Sequence, residues 1–189
     1  CSSDLDTFRI LSDSTHIQHR LPNRFPMDIA FDESDPNKVF VAYSGYGTSH
    51  VFKTTNAGLE WIACDSLDMN VTLPDVPTSA IVIDSITKNI YVGNDIGVFV
   101  GDSNGTSWRL FSEGMPPAIV MDLSISKSNR MLRAFTHGLG AWQRRLLDNV
   151  VTSIANQREI AQEFRLEQNY PNPFNPITTI HFSLSSKNT

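Results

Sequence analysis

The residues that could perform acid–base chemistry are carboxylates spread along the first two thirds of the chain. A glycoside hydrolase needs two carboxyl groups on either side of the sugar bond that it cleaves. The candidates lie at or near the ends of apolar runs: Asp28, Asp32, Asp84, Asp95 and Asp122. Most of them recur at equivalent places in successive segments, which favours a structural role, because an aspartate at a strand end caps the following turn. We therefore predict no catalytic residue in this chain.

Metal and cofactor chemistry is not indicated either. The closest histidine pair, His16 and His19, would fall on opposite faces of a strand. The acidic cluster at residues 32–35 lacks the glycine and the ligand spacing of a calcium loop. The sequence has no nucleophile elbow and no phosphate-binding loop. We expect no cofactor and no bound metal.

Composition excludes several classes of protein. Of the 189 residues, 40% are hydrophobic and 19% are charged, which predicts a folded chain with an apolar core. The net charge of −5 gives no basic surface for nucleic acid, and no apolar run is long enough for a membrane span. If Cys1 is set aside, Cys64 has no partner for an internal disulfide and is predicted to be a buried thiol.

The elements that position these residues form a repeat of strands. Trp61 and Trp108 lie 47 residues apart, and three alternating apolar runs precede each of them. A third copy begins at Met121 and reaches Trp142, where it stops after its third strand. Four short strands in each unit, repeated every 40 to 50 residues, are typical of a propeller blade. The sequence predicts an all-β partial β-propeller of about three four-stranded blades, the last of which takes its fourth strand from the other end of the chain.

Two of the predicted turns resemble the Asp-box, or bacterial neuraminidase repeat, whose pattern is Ser-x-Asp-x-Gly-x-Thr-Trp. The first carries Thr54, Asn56, Gly58 and Trp61, and the second carries Ser103, Gly105, Ser107 and Trp108. Ser103 stands in the Asp place of the second copy. In such a turn the Asx side chain accepts backbone hydrogen bonds, glycine takes the positive φ, and the tryptophan packs between blades.

The resemblance covers residues 6–147. These residues are similar to the end of a propeller in the sialidase, xyloglucanase and sortilin-like group. In that group the turns lie away from the catalytic face, so they imply architecture and not activity. Enzymes of the sialidase type present an arginine cluster, and Phe8-Arg9-Ile10-Leu11 resembles their arginine motif only superficially, since its proline is missing. A peptide receptor of the sortilin type is a further alternative.

The last part of the chain has a different pattern. Residues 148–165 are polar and form a predicted linker, and residues 178–184 alternate as a strand with one apolar face. Between them lies a proline-rich segment: Asn169, Tyr170, Pro171, Asn172, Pro173, Phe174, Asn175, Pro176, Thr178, Thr179 and Ile180. It resembles the opening of the type A C-terminal sorting domain of the type IX secretion system. The resemblance implies that residues 166–189 are a truncated sorting domain, of which the first strand of an Ig-like β-sandwich is present.

These features together predict a secreted or cell-surface bacterial protein. Its propeller would be a binding or structural module with an extracellular polysaccharide or protein ligand, and the complete sorting domain would engage the type IX secretion machinery. The alternative is the C-terminal part of a glycoside hydrolase, sialidase-like or xyloglucanase-like, with its catalytic residues upstream. Residues 1–5 resemble a translated sequencing adapter and are expected to be an artefact, with a lipid-anchor cysteine as the alternative.

Overall fold

A computed structural model describes residues 21–65 and 73–151, together with the backbone of two short strands further along the chain. The chain divides into two compact units, residues 1–153 and residues 154–189. Every regular element in the described residues is a β-strand. No helix in that part of the chain has the length and apolarity to cross a membrane.

The first unit contains three antiparallel sheets that follow one another along the chain. The first sheet has the order β1 (Pro26–Asp32), β2 (Asp35–Tyr43), β3 (Val51–Thr54) and β4 (Ile62–Ala63). The second has the order β5 (Thr78–Ile83), β6 (Ile90–Asn94), β7 (Gly97–Gly101) and β8 (Trp108–Leu110). The third consists of β9 (Val120–Ser126), β10 (Met131–Thr136) and β11 (Gly140–Arg145). We call these sheets blades 1, 2 and 3.

The predicted strands and their order are confirmed, and the third blade has three strands in the described residues. The apolar residues of neighbouring blades pack against each other, and blade 2 is covered on both of its faces. One core lies between blades 1 and 2 and includes Phe40, Ile81 and Trp108. A second lies between blades 2 and 3 and includes Tyr91 and Leu132.

All three first strands share an irregularity that the alternating pattern does not reveal. Each contains one extra residue close to its start, at Met27 in β1, Ser79 in β5 and Met121 in β9. Such a β-bulge bends the strand and changes the direction of the neighbouring peptide groups. Asp28, which follows the first bulge, accepts a hydrogen bond of 2.8 Å from the backbone N–H of Ile81 in blade 2. The bulge in β1 therefore adjoins a contact between blades 1 and 2.

One glycine is required by the close packing of blades 2 and 3. A Cβ atom at Gly93 in β6 would lie 2.5 Å from Cγ1 of Val120 in β9. This distance is shorter than any normal carbon–carbon contact, so only glycine allows β6 to approach the first strand of the next blade.

The second unit has two short paired strands, β12 (Arg165–Leu166) and β13 (Phe182–Ser183). β13 falls inside the strand predicted for residues 178–184. The sorting motif at residues 169–180, the histidines at 16 and 19, and the Phe8–Leu11 segment all lie outside the described residues.

Candidate functional site

The connections between strands fall on two faces of the blades, because successive antiparallel strands reverse direction. One face carries the first-to-second and third-to-fourth turns of each blade, including both Asp-box-like turns. The opposite face carries the second-to-third connections, at residues 44–50, 95–96 and 137–139, and the connections from one blade to the next. We call the first the turn face and the second the loop face.

The first Asp-box-like turn brings together the four residues predicted for it. Thr54 Oγ1 accepts hydrogen bonds from the N–H of Asn56 and of Gly58, at 3.2 and 3.0 Å. Asn56 Oδ1 accepts one from the N–H of Glu60 at 2.9 Å. Gly58 has a φ of 87°, and Trp61 is 4% exposed. Hydrogen bonds between side chains and backbone N–H groups stabilise the turn, and the turn exposes no reactive group.

The second turn is organised around a residue that the sequence comparison did not select. Asp102 Oδ1 accepts hydrogen bonds from the N–H of Thr106 and of Ser107, at 2.6 and 2.9 Å. The acceptor is therefore Asp102 and not Ser103. Asp102 lies one position further along the chain from Trp108 than Asn56 lies from Trp61 in the first turn. Gly105 takes a φ of 71°, and its carbonyl accepts a bond of 2.8 Å from Trp108 Nε1.

Replacing Asp102 with alanine should lower the free energy of unfolding by about 2 kcal/mol, because it removes a buried carboxylate that accepts hydrogen bonds from the N–H groups of Thr106 and Ser107. Ser103→Ala is the matched control and should change it by less than about 0.5 kcal/mol. Urea unfolding of both variants measures the difference. A larger loss at Ser103 would contradict the assignment of the acceptor.

Repeated ion pairs join neighbouring blades at the turn face. Asp32, at the end of β1, accepts a hydrogen bond of 2.9 Å from Lys88 Nζ in blade 2. Asp84, after β5, accepts one of 2.5 Å from Arg130 Nη1 in blade 3. Burial alone would raise the pKa of Asp32, but hydrogen bonds from Ser34 and Lys88 lower it to about 2. The predicted capping role of these aspartates is confirmed, since each also accepts backbone hydrogen bonds within its own turn.

The loop face of blade 1 contains a buried charged cluster. His50 is 2% exposed, and its Nδ1 lies 3.2 Å from Asp65 Oδ2. Its Nε2 lies 3.1 Å from the carbonyl oxygen of Gly45 and 3.5 Å from Asp75 Oδ1. Burial opposes protonation of this imidazole, but the hydrogen bonds that it donates to Asp65 and Gly45 and the charges of Asp65 and Asp75 raise the pKa of His50 overall. The cluster ties residues 44–50 to the end of blade 1 and to the connection into blade 2.

Two exposed aromatic residues lie near this cluster. Phe25 is 80% exposed and Tyr46 is 61% exposed. The Phe25 carbonyl accepts a hydrogen bond from the N–H of Ser44 at 3.1 Å, and Arg24 Nη2 donates one to the Tyr46 carbonyl at 2.9 Å. Asp75, which is 59% exposed, accepts a bond of 2.6 Å from the N–H of Gly47. The result is a surface formed by three segments of the chain: Arg24 and Phe25 lie just before β1, Tyr46 lies between β2 and β3, and Asp75 lies between β4 and β5.

The other candidate residues are not gathered into a reactive site. Asp95 is partly buried and Asp122 is exposed. No group of three or more metal-ligating side chains occurs within the described ranges. Cys64 is buried as predicted, and burial raises the pKa of its thiol to about 12, so it is not a nucleophile at neutral pH.

Comparison with known proteins supports the architecture. No family model and no curated protein matches the chain. A solved gluconolactonase from Xanthomonas campestris is 16% identical with a TM-score of 0.50, over 66% of this chain and 39% of that chain. The GH74 enzyme of Niastella koreensis is 12% identical with a TM-score of 0.51, over 76% of this chain and 24% of that chain. The chain thus spans less than half of each of these structures, and at such identities the similarity shows the fold alone: an all-β partial β-propeller.

Proposed function

We propose that these blades belong to a secreted or cell-surface propeller that binds an extracellular polysaccharide through its loop face. The main support for this proposal is the exposure of Phe25 and Tyr46 on the loop face of blade 1, beside Arg24 and Asp75. Aromatic rings stack on the apolar faces of sugars, and guanidinium and carboxylate groups bond to sugar hydroxyls. Rings held on hydrogen-bonded loops lose little conformational entropy on binding.

The carboxylates of the first strands support binding over catalysis. Both oxygens of Asp28 accept backbone hydrogen bonds, from Ile29 and from Ile81. Asp32 and Asp84 are buried and paired with Lys88 and Arg130. A carboxylate that is held in such bonds cannot act as a general acid or as a nucleophile without losing them.

The alternative function is that of a glycoside hydrolase whose catalytic carboxylates lie in other blades. The similarity in fold to the GH74 enzyme supports this candidate, and this chain covers only 24% of that protein. Release of reducing sugar by the complete natural gene product from a panel of polysaccharides would favour this candidate over the binding module.

Replacing Tyr46 with alanine should weaken polysaccharide binding at least about tenfold, because an exposed ring that stacks on a ligand carries much of the binding energy. Leu59→Ala is the matched control, since Leu59 is 70% exposed but lies on the turn face. Retention on columns of immobilised polysaccharides measures both variants. Equal weakening by the two substitutions would contradict the role of the loop face.

Export through the type IX secretion system is the second part of the proposal, and the segment at residues 169–180 supports it. We expect the natural gene product to be found outside the cell in a strain with an intact secretion system. It should remain inside the cell when the outer-membrane pore of that system is deleted. Immunoblots of culture medium and cell fractions test this, and unchanged export in the deletion strain would contradict it.

A further inference from the structure

The loop that carries Tyr46 is fastened at both ends by one buried imidazole. His50 is the last residue of this loop, and its backbone carbonyl accepts a hydrogen bond of 2.8 Å from the N–H of Tyr43. Its Nε2 lies 3.1 Å from the carbonyl oxygen of Gly45, near the start of the same loop. Its Nδ1 lies 3.2 Å from Asp65 Oδ2, which follows β4. The imidazole therefore joins the two ends of the loop to each other and to the connection that leaves blade 1.

Both ring nitrogens of His50 face atoms that accept hydrogen bonds. One partner is a carbonyl oxygen, and the other is the carboxylate of Asp65, whose two oxygens also accept bonds from the backbone N–H groups of His50 and Val51. A neutral imidazole carries one N–H, whereas the imidazolium carries two. The arrangement therefore requires the protonated ring. The carboxylate of Asp75, 3.5 Å from Nε2, adds a second favourable charge.

Loss of one proton from this ring would act on the part of the loop that bears the exposed tyrosine. Nδ1 keeps its N–H because it faces the buried Asp65 carboxylate, so the proton leaves from Nε2 to solvent. Nε2 then presents a lone pair to the Gly45 carbonyl and to Asp75, which also accepts the bond of 2.6 Å from the N–H of Gly47. Gly45 and Gly47 flank Tyr46 and have φ values of 111° and 70°, so the backbone on each side of the ring has the conformational freedom of glycine.

We propose that His50 is a proton-controlled latch of the loop face. In its protonated form it fixes residues 44–50 and with them the position of Tyr46. In its neutral form it releases residues 45–47 and weakens the binding of polysaccharide at this face. The release of the loop is a property of the blade itself, whereas the effect on binding rests on the proposed function.

The pH range of the latch follows from the groups around the ring. Among the described residues, the charged groups that face the imidazole are Asp65 and Asp75, and Arg24 Nη1 would lie 3.2 Å from a Cβ at Gly45. Burial opposes protonation, but the two hydrogen bonds and the two carboxylate charges raise the pKa of His50 overall. The loop should therefore be released above the ordinary histidine value of about 6.5.

An NMR titration of the isotopically labelled chain without ligand, from about pH 6 to about pH 9, tests the latch itself. The amide signals of residues 45–47 should shift with the same midpoint as the imidazole signals of His50. Their heteronuclear NOE values should fall above that midpoint, because the released loop moves on the nanosecond timescale. His50→Gln should remove this transition, since glutamine does not titrate.

Two further variants separate the latch from a merely structural role of the histidine. His137→Gln is the matched control, because His137 is exposed and lies in the equivalent connection of blade 3, and the loop should titrate as in the wild type. Asp75→Asn removes one charge but keeps an acceptor for the N–H of Gly47. It should lower the midpoint that the His50 and loop signals share.

The effect on binding is measured with the polysaccharide that the chain retains best. Its affinity should fall at least about tenfold from about pH 6 to about pH 9 in the wild type and should stay constant in His50→Gln. Loop signals that do not follow the imidazole of His50, or a midpoint that Asp75→Asn leaves unchanged, would overturn the latch. A loop that titrates while the affinity stays constant would overturn its control of binding. If no polysaccharide binds at any pH, the proposed function fails, and the signals without ligand decide on the latch alone.

Discussion

Replacing Arg130 with alanine should lower the free energy of unfolding by about 3 kcal/mol, because it leaves a buried carboxylate without its counter-charge. Asp84 is 1% exposed and accepts the bond from Arg130 Nη1 at 2.5 Å. Burial would raise the pKa of Asp84, yet hydrogen bonds from Arg130 and Thr87 lower it overall, so the charged form is the one that folding favours. Arg130 also holds the Leu147 carbonyl, so the substitution loosens the chain after blade 3.

The matched control is Lys127→Ala in the same blade. Lys127 pairs with Glu33, but both side chains are more than half exposed, so the pair should contribute less than about 1 kcal/mol. Urea unfolding of the three proteins at neutral pH compares the two substitutions. Equal losses would contradict the conclusion that the buried pair between blades 2 and 3 contributes more to stability than the exposed pair between blades 1 and 3.

Replacing His50 with alanine should lower the free energy of unfolding by about 3 kcal/mol at pH 6, because Asp65 is 4% exposed and would lose its buried partner. The effect should depend on pH. Since the folded-state pKa of His50 is raised, its contribution is complete below the ordinary pKa of histidine and is lost as the pH rises through the folded value.

Unfolding curves of the wild type and of His50→Gln at several pH values from about 6 upward test this dependence. The wild type should lose stability as the pH rises, and the glutamine variant should lose less, because glutamine keeps a hydrogen-bond donor but does not titrate. The charged groups that face His50 are Asp65 and Asp75, and Arg24 lies close to Gly45. Parallel pH profiles of the two proteins would contradict a role for histidine protonation.

The sequence predicts the strands of this fold well because each strand buries apolar residues at fixed intervals. Trp61 and Trp108 mark the repeat, and Asp32 and Asp84 mark the strand ends. The acceptor of the second turn lies one residue before the predicted Ser103, because the distance along the chain from the Asx residue to the tryptophan differs between the two turns. The bulges at Met27, Ser79 and Met121 were missed, since an extra residue in a strand has no composition of its own.

The loop-face cluster could not be predicted in the same way. His50 lies in the connection between β2 and β3, whereas Asp65 and Asp75 lie ten residues apart in the connection between β4 and β5, and only the folded chain brings their side chains together. No spacing rule links residues that meet across a loop and a blade junction. The basic partners Lys88 and Arg130 share no spacing in the sequence, since Lys88 is five residues after the end of β5 and Arg130 is four residues after the end of β9.

The turn face and the loop face are expected to have different roles. The turn face contains the Asp-box-like turns and the ion pairs that join the blades, so substitutions there should act on stability. The loop face exposes Tyr46, on the loop that ends at the buried His50, and Phe25, just before β1. If the proposed function is right, substitutions at Phe25 and Tyr46 should act on binding and leave stability nearly unchanged.

The most direct test of the proposed function is an NMR titration of the isotopically labelled chain with the soluble polysaccharide that it retains best. We expect saturable shifts in the backbone amide signals of residues 24–25, 44–50 and 75, with no reducing sugar released. Shifts confined to the turns at residues 54–61 and 102–108, or no shifts with any polysaccharide of the panel, would contradict binding at the loop face.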